Sequence, residues 1–175
     1  SGLTWLPDQP YFKGSWGYIE GKARSTTSEI ENTTDGPLYQ TWRENLRAYQ
    51  IDAPSGTYEV ELLMADVSRS RPQLANLLGR GDDGQAIADS RFNITICGRR
   101  METDFSPADG GHYRQAFRRR YIIQNKENKI DVLFETLKGK CHLAGIKISC
   151  KHYQTVMTLY IQETSPICKN GRGLL

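Results

Sequence analysis

The sequence predicts an all-β fold, an antiparallel β-sandwich, on three observations. Short stretches place apolar residues at every second position, the period of a strand with one buried face. Gly- and Asn-bearing turns separate these stretches, as in a sandwich. Apolar periodicity of helical length is missing between them. Taken in order, Tyr49 to Ile51 reads as a strand end and Ala53-Pro54-Ser55-Gly56 as a turn, with Pro54 suited to its second position. Tyr58, Val60, Leu62 and Met64 then alternate with Glu59, Glu61 and Leu63, so the two strands read as a hairpin with one apolar face. Phe92, Ile94 and Ile96 share a face and Gly98 turns the chain before Met101, with Cys97 placed in the strand. Tyr121 to Ile123 is a strand, Gln124 to Asn128 a polar turn, and Ile130, Val132 and Phe134 the next alternating face. Gly145 to Ser149 closes the series.

Two stretches depart from this pattern. Residues 69–90 form a long connection with a short helix expected over Gln73 to Leu78, ended by Gly79; connections of that length are often functional. After Cys150, "HYQTVMTLYIQ" can add one strand before a tail, "KNGRGLL", that reads as disordered. The expected organisation is therefore one sandwich module over residues 1–150 and a C-terminal tail over 151–175.

Composition excludes several classes. A net charge of +3 and a pI near 8.7 are too mild to argue for a nucleic-acid partner. No apolar run approaches the ~20 residues that cross a bilayer as a helix, so no membrane partner is expected. The chain opens on Ser1-Gly2 with no initiator Met, and reads as a piece cut from a longer protein. Cys97, Cys141, Cys150 and Cys168 lack the CxxC spacing of a zinc site and the density of a disulfide framework, and read as ordinary packed thiols.

The sequence carries no nucleophile–base, metal-ligand or phosphate-loop signature. Glu59 and Glu61 point to one face of their strand, ~7 Å apart, within the span of paired glycosidase carboxylates. Nothing else in the sequence singles them out, and they read as a solvated strand face. Arg118-Arg119-Arg120 could touch phosphate but has no interleaved aromatics, and reads as a solvated strand entry. His112, His142 and His152 have no metal-ligand spacing. Gly81-Asp82-Asp83-Gly84 lacks the ligand positions of a calcium loop and reads as an acidic turn. Aromatic rings remain: Trp5, Tyr11, Phe12, Trp16 and Tyr18 crowd the N-terminal segment, followed by Tyr39 and Trp42. Flat rings with polar edges suit the faces of sugars, although most such rings plug cores.

The blocks "LYQTWRE", "YQIDAPSGTYEVELLMAD", "DSRFNITICGRRMETDFSPADGG" and "LAGIKI" resemble, in order and spacing, those of a malectin-like carbohydrate-binding domain, over roughly Trp16 to Ile148. "DQPYFKGSWGYIEGK" further resembles the start of malectin-like modules appended to β-galactosidase-like glycoside hydrolases of family 2 in Bacteroidetes. The resemblance implies a jelly-roll-like sandwich, a non-catalytic role and a glycan partner. It also implies a catalytic domain in the same polypeptide and a periplasmic or extracellular location. No cofactor is implied, with a structural calcium ion left open. On the ligand side this chain departs from the family. Glu44 stands where the motif is followed by a tyrosine, Ser68-Arg69 replace an aromatic pair after Ala65-Asp66, and the late loop is shortened to Lys138-Gly139-Lys140 without its aspartate. The ligand-binding residues that the resemblance leaves are Trp16 or Tyr18 as stand-ins for the first tyrosine, with Tyr39, Trp42, Arg43, Asp66 and Arg69. Arg43 has two readings, a donor to sugar hydroxyls or a pin that pairs with Asp66 or Glu44. A spacer domain that packs on its own catalytic domain without binding sugar is the alternative function.

The cysteine spacing generates one prediction. Adding reductant should leave the melting temperature almost unchanged, read by thermal denaturation. A drop beyond several degrees would reveal a disulfide, typically worth ~2–4 kcal/mol.

Overall fold

β-branched and aromatic residues at alternate positions set the strands, and the tight turns between them set their order. The structure, a computed structural model, describes residues 4–65, 90–107, 109 and 114–151, and the backbone of 156–160. The expected helix over Gln73 to Leu78, the acidic turn at Gly81 to Gly84 and the "KNGRGLL" tail lie outside the described residues. In chain order the elements are β1 (Leu6–Pro7), β2 (Trp16–Ile19), β3 (Lys22–Ser25), α1 (Gly36–Tyr39), β4 (Thr41–Glu44), β5 (Ala48–Ile51) and β6 (Gly56–Ala65). They continue as β7 (Arg91–Ile96), β8 (Arg99–Phe105), β9 (Ala116–Asn125), β10 (Ile130–Lys138), β11 (His142–Leu143), β12 (Gly145–Cys150) and β13 (Val156–Tyr160). One sheet runs β1-β13-β12-β6-β9, a second β2-β5-β10-β7-β8, and a small third β11-β4-β3. Pairing is antiparallel apart from β1 on β13. The all-β sandwich expected from the sequence is the fold observed.

The main core lies between the two large sheets. Val60, Leu62 and Met64 of β6 and Ile146 and Ile148 of β12 face Phe92, Ile94 and Ile96 of β7 and Ile130 and Val132 of β10. Phe92 meets Phe105 edge-on at 5.4 Å between ring centroids, an arrangement that aligns ring edge with ring face. β7 and β8 form a true hairpin. Its turn places Cys97 at φ 46° and Gly98 at φ 72°, the paired positive values of a two-residue hairpin turn. Cys97 therefore sits in the turn and not within the strand. Among the described residues Cys97, Cys141 and Cys150 are free thiols.

The stretch around Ala53-Pro54-Ser55-Gly56 is not a hairpin. β5 pairs with β2 and β10 in the second sheet, whereas β6 pairs with β12 and β9 in the first, so the turn carries the chain across the core. The polar turn between β9 and β10 crosses back in the same way. The buried Asn125 ties the two crossings together: Asn125 Nδ2 donates to the carbonyls of Ala53 and Pro54, both at 3.0 Å. Tyr58 Oη donates to the Pro54 carbonyl at 2.9 Å, and the Ala53 amide donates to the Asn128 carbonyl at 3.3 Å.

The outward face of β6 also differs from the expectation. Glu59 is half-buried and paired with Lys151 at 2.7 Å. Glu61 is buried beneath Arg120 of β9 at 3.0 Å, Arg118 at 3.6 Å and Lys147 of β12 at 3.9 Å. It lies on the central strand of a three-strand row, where opposite charges on both neighbours stabilise a carboxylate. Arg118 to Arg120 are accordingly inside β9, with Arg118 and Arg120 on Glu61 and Arg119 near Glu102 at 3.7 Å. Further along, Leu63 and Ala65 of the same outward face join a second core with Ile30, Leu38, Tyr39, Trp42, Ala116 and Ala144.

Because Asn125, from the second crossing, bonds two carbonyls of the first, Asn125→Ala should lower stability by about 1–3 kcal/mol in chemical denaturation, the loss of two hydrogen bonds that join the crossings. A wild-type midpoint would show that the crossings hold without it.

Candidate functional site

Arg43 projects from β4, a strand held between β3 and β11. Its guanidinium is 6% exposed as part of the whole residue and enters a buried cluster. Nε and Nη2 both reach Asp8 Oδ2 at 2.8 Å, and Nη1 donates to the Gly21 carbonyl at 3.1 Å. Tyr49 Oη donates to Asp8 Oδ1 at 3.0 Å. The guanidinium lies over the Tyr18 ring, 3.3 Å from its centroid, a cation–π contact. Gly21 makes room for this: a Cβ there would meet Arg43 Cγ at 2.8 Å and the Glu44 carbonyl at 2.9 Å. Burial pushes the Asp8 carboxyl above its ordinary value, against the opposing pull of Arg43 and Tyr49. Burial, and then Asp8, push the Tyr49 hydroxyl well up, so it keeps its proton and donates. Of the two readings of Arg43 the structure displays the pin, and its partner is Asp8 and not Glu44. Asp66 lies outside the described residues.

Glu44 has its own partners. The carboxylate is buried, 3.1 Å from Arg24 Nε and 3.3 Å from Lys140 Nζ. Two departures from the family pattern thus meet in space, because the shortened loop delivers Lys140 onto the residue that replaces the tyrosine. A charged pair occupies ground that the resemblance assigned to sugar contacts.

Trp42, on the same strand, is 7% exposed and packs in the second core with Leu38, Leu63, Ala65 and Ala144. Its Nε1 finds no hydrogen-bond partner among the described residues. This position offers no open ring face for a sugar. Trp16 is half-buried in β2 against the main core, and Tyr18 has one ring face covered by Arg43. Tyr39, at the end of α1, is 1% exposed. Arg69, like Asp66, is outside the described residues.

Among the sequence-derived residues that the structure describes, Tyr39 borders an open groove of about 550 Å³. Asn32, Thr33 and Thr34 form one wall, and Phe117 and Arg118 of β9 the other. Arg118 was absent from the expected site. Its Nε donates to Tyr39 Oη at 3.0 Å, fixing the guanidinium at the groove. Burial raises the Tyr39 hydroxyl above its ordinary value while Arg118 pulls it down, so the ring stays a neutral phenol. The signal that could have found Arg118 was in the sequence: Leu63 and Ala65 continue the outward face of Glu59 and Glu61, so something must cover that end of the strand. Among the described residues no group of three or more His, Cys, Asp or Glu side chains is placed to hold a metal ion.

The Malectin domain family matches residues 1–152. The crystal structure of a Bacteroides uniformis β-glucuronidase is similar with 43% identity and a TM-score of 0.73, covering 86% of this chain and 16% of that chain. The plant receptor-like kinase FER is similar in fold, with 15% identity, a TM-score of 0.57, and 79% of this chain against 35% of that one. The ANXUR1 extracellular domain from Arabidopsis thaliana has 16% identity and a TM-score of 0.57, covering 77% of this chain and 39% of its own. The curated proteins supply no matching relative. This chain thus spans about a sixth of the β-glucuronidase it matches.

Burial decides how substitutions at the expected site should read. Trp42→Ala should cost about 3–5 kcal/mol, the cost of emptying a packed aromatic site. Asp8→Asn should cost a comparable amount by leaving the Arg43 charge buried without its partner. Urea denaturation of both variants measures this, and a loss under 1 kcal/mol for either would contradict the structural role assigned to it.

Proposed function

From the premise that this chain belongs to the malectin domain family, we propose that it is a non-catalytic accessory domain of a glycoside hydrolase that holds glycan in the groove beside Tyr39 and Arg118. The observation that carries the reading is the 43% identity, over 86% of this chain, to a piece amounting to 16% of a β-glucuronidase. A domain that small within an enzyme supports the chemistry of its neighbour. The parent enzyme proposed here is therefore uronide-directed in place of the β-galactosidase-like parent suggested by the N-terminal segment. The family resemblance carries the further proposal of a periplasmic or extracellular location.

The groove supports glycan binding by its shape and donors. It is open to solvent, its Asn32, Thr33 and Thr34 wall carries amide and hydroxyl groups, and the opposite wall rests on a rigid strand. Asp66, the next residue after Ala65, and Arg69, three positions further along the sequence, stay in the proposal because Ala65 is paired with Ala116, which lines the groove. The spacer reading draws its support from Trp42 and Arg43, which are committed to core and ion pair.

Affinity electrophoresis through a panel of soluble polysaccharides separates the two readings. The wild type should be retarded by at least one polymer, and Thr34→Trp, at an exposed position of the groove wall, should remove the retardation without loss of folding by circular dichroism. No turnover of chromogenic glycosides should accompany it. Absence of retardation across the panel would hand the function to the spacer reading.

A further inference from the structure

We infer that this groove takes an anionic sugar residue, its carboxylate or sulfate bound by the Arg118 guanidinium; the inference rests on the glycan-binding reading above. Arg118 is the one charged side chain among the described residues that line the groove. Its side chain is 42% exposed and yet held in place at one end, by Nε on Tyr39 Oη at 3.0 Å. Nη1 is paired with Glu61 Oε1 at 3.6 Å. Nη2 has no hydrogen-bond partner among the described residues. A guanidinium fixed at Nε by Tyr39 and steadied at Nη1 by Glu61 keeps Nη2 for a charge-assisted contact with an anion's oxygen.

The surrounding charges favour an anion. Arg118, Arg120 and Lys147 share the single buried carboxylate of Glu61, an arrangement that leaves this face of the sheet positive. Lys151 and Glu59 on the same face cancel. Near the groove mouth stand Asp35, whose charge acts on Tyr39, and the exposed Glu31 and half-buried Arg114. Neither carboxylate lines the groove. A site for neutral sugars needs acceptors for their hydroxyl protons, which carboxylates supply best; this groove lines itself with one fixed cation, an amide and hydroxyls instead. Tyr39 acts here as a positioning residue, since its oxygen accepts from Arg118 and the ring is buried.

Two matched pairs of polymers test the inference: glucuronoxylan against its carboxyl-reduced form, and dextran sulfate against dextran. Binding is measured by affinity electrophoresis and titration calorimetry at low and at elevated salt. The charged member of at least one pair should bind more tightly by about tenfold or more, the size of one charge-assisted contact, and the pair that shows it identifies the anion. Arg118→Gln should erase that preference, Arg118→Lys should restore part of it, and Tyr39→Phe should weaken it without unfolding. Arg100→Gln, which removes an equal charge from the other large sheet, should leave it intact. Equal binding of charged and uncharged members, or an Arg100→Gln loss matching that of Arg118→Gln, would overturn the anion site while leaving the glycan reading standing. No binding to any of the polymers would overturn both.

Discussion

The buried contact between Arg43 and Asp8 is the constraint on which the N-terminal half of the sandwich depends. A charge removed from water is costly unless its partner and its hydrogen bonds are supplied by the fold. Here they come from separate elements: Asp8 from the loop after β1, the Gly21 carbonyl from the entry to β3, and the covering ring of Tyr18 from β2, with Tyr49 of β5 orienting the carboxylate. The small third sheet and the edge of the second large sheet are thereby locked to the same point. That commitment also withdraws Arg43 and one face of Tyr18 from any ligand.

The charge pattern of this chain continues the same logic. Where the family resemblance expects a tyrosine, Glu44 is held as a buried carboxylate between Arg24 and Lys140. On the far side of Tyr39 the arrangement inverts: one buried carboxylate, Glu61, anchors several cations, and one of these reaches an open groove. Fixed charges stand where the resemblance expects aromatic rings. A fixed charge selects by ligand charge, which is the basis for the anionic sugar proposed for the groove.

The groove owes its definition to the strands beneath it. β9 pairs along its whole length with β6, and the register sets Arg118 beside Leu63 and Ala116 beside Ala65. The second core fills the space under α1, so Tyr39 cannot swing away from Arg118. A cation positioned by a paired strand and a buried phenol loses little conformational freedom when a ligand arrives, which conserves binding free energy.

The sequence by itself determined the strands and their inward faces, because period-two alternation is a local property that any pairing preserves. Tyr58 to Met64, Phe92 to Ile96 and Ile130 to Phe134 could be read directly, as could the blocks of family resemblance. Only the tertiary structure decided what those strands pair with. A crossover between sheets and a hairpin within one both need two alternating strands and a turn, so the path through Pro54 was ambiguous. It also decided the fate of the polar residues. Asp8 lies 35 positions from Arg43, and Tyr39 lies 79 from Arg118; no local spacing announces either pair. Trp42 and Glu61 looked available because residue type reports what a side chain can do. Whether it is free to do so depends on what the rest of the chain folds over it.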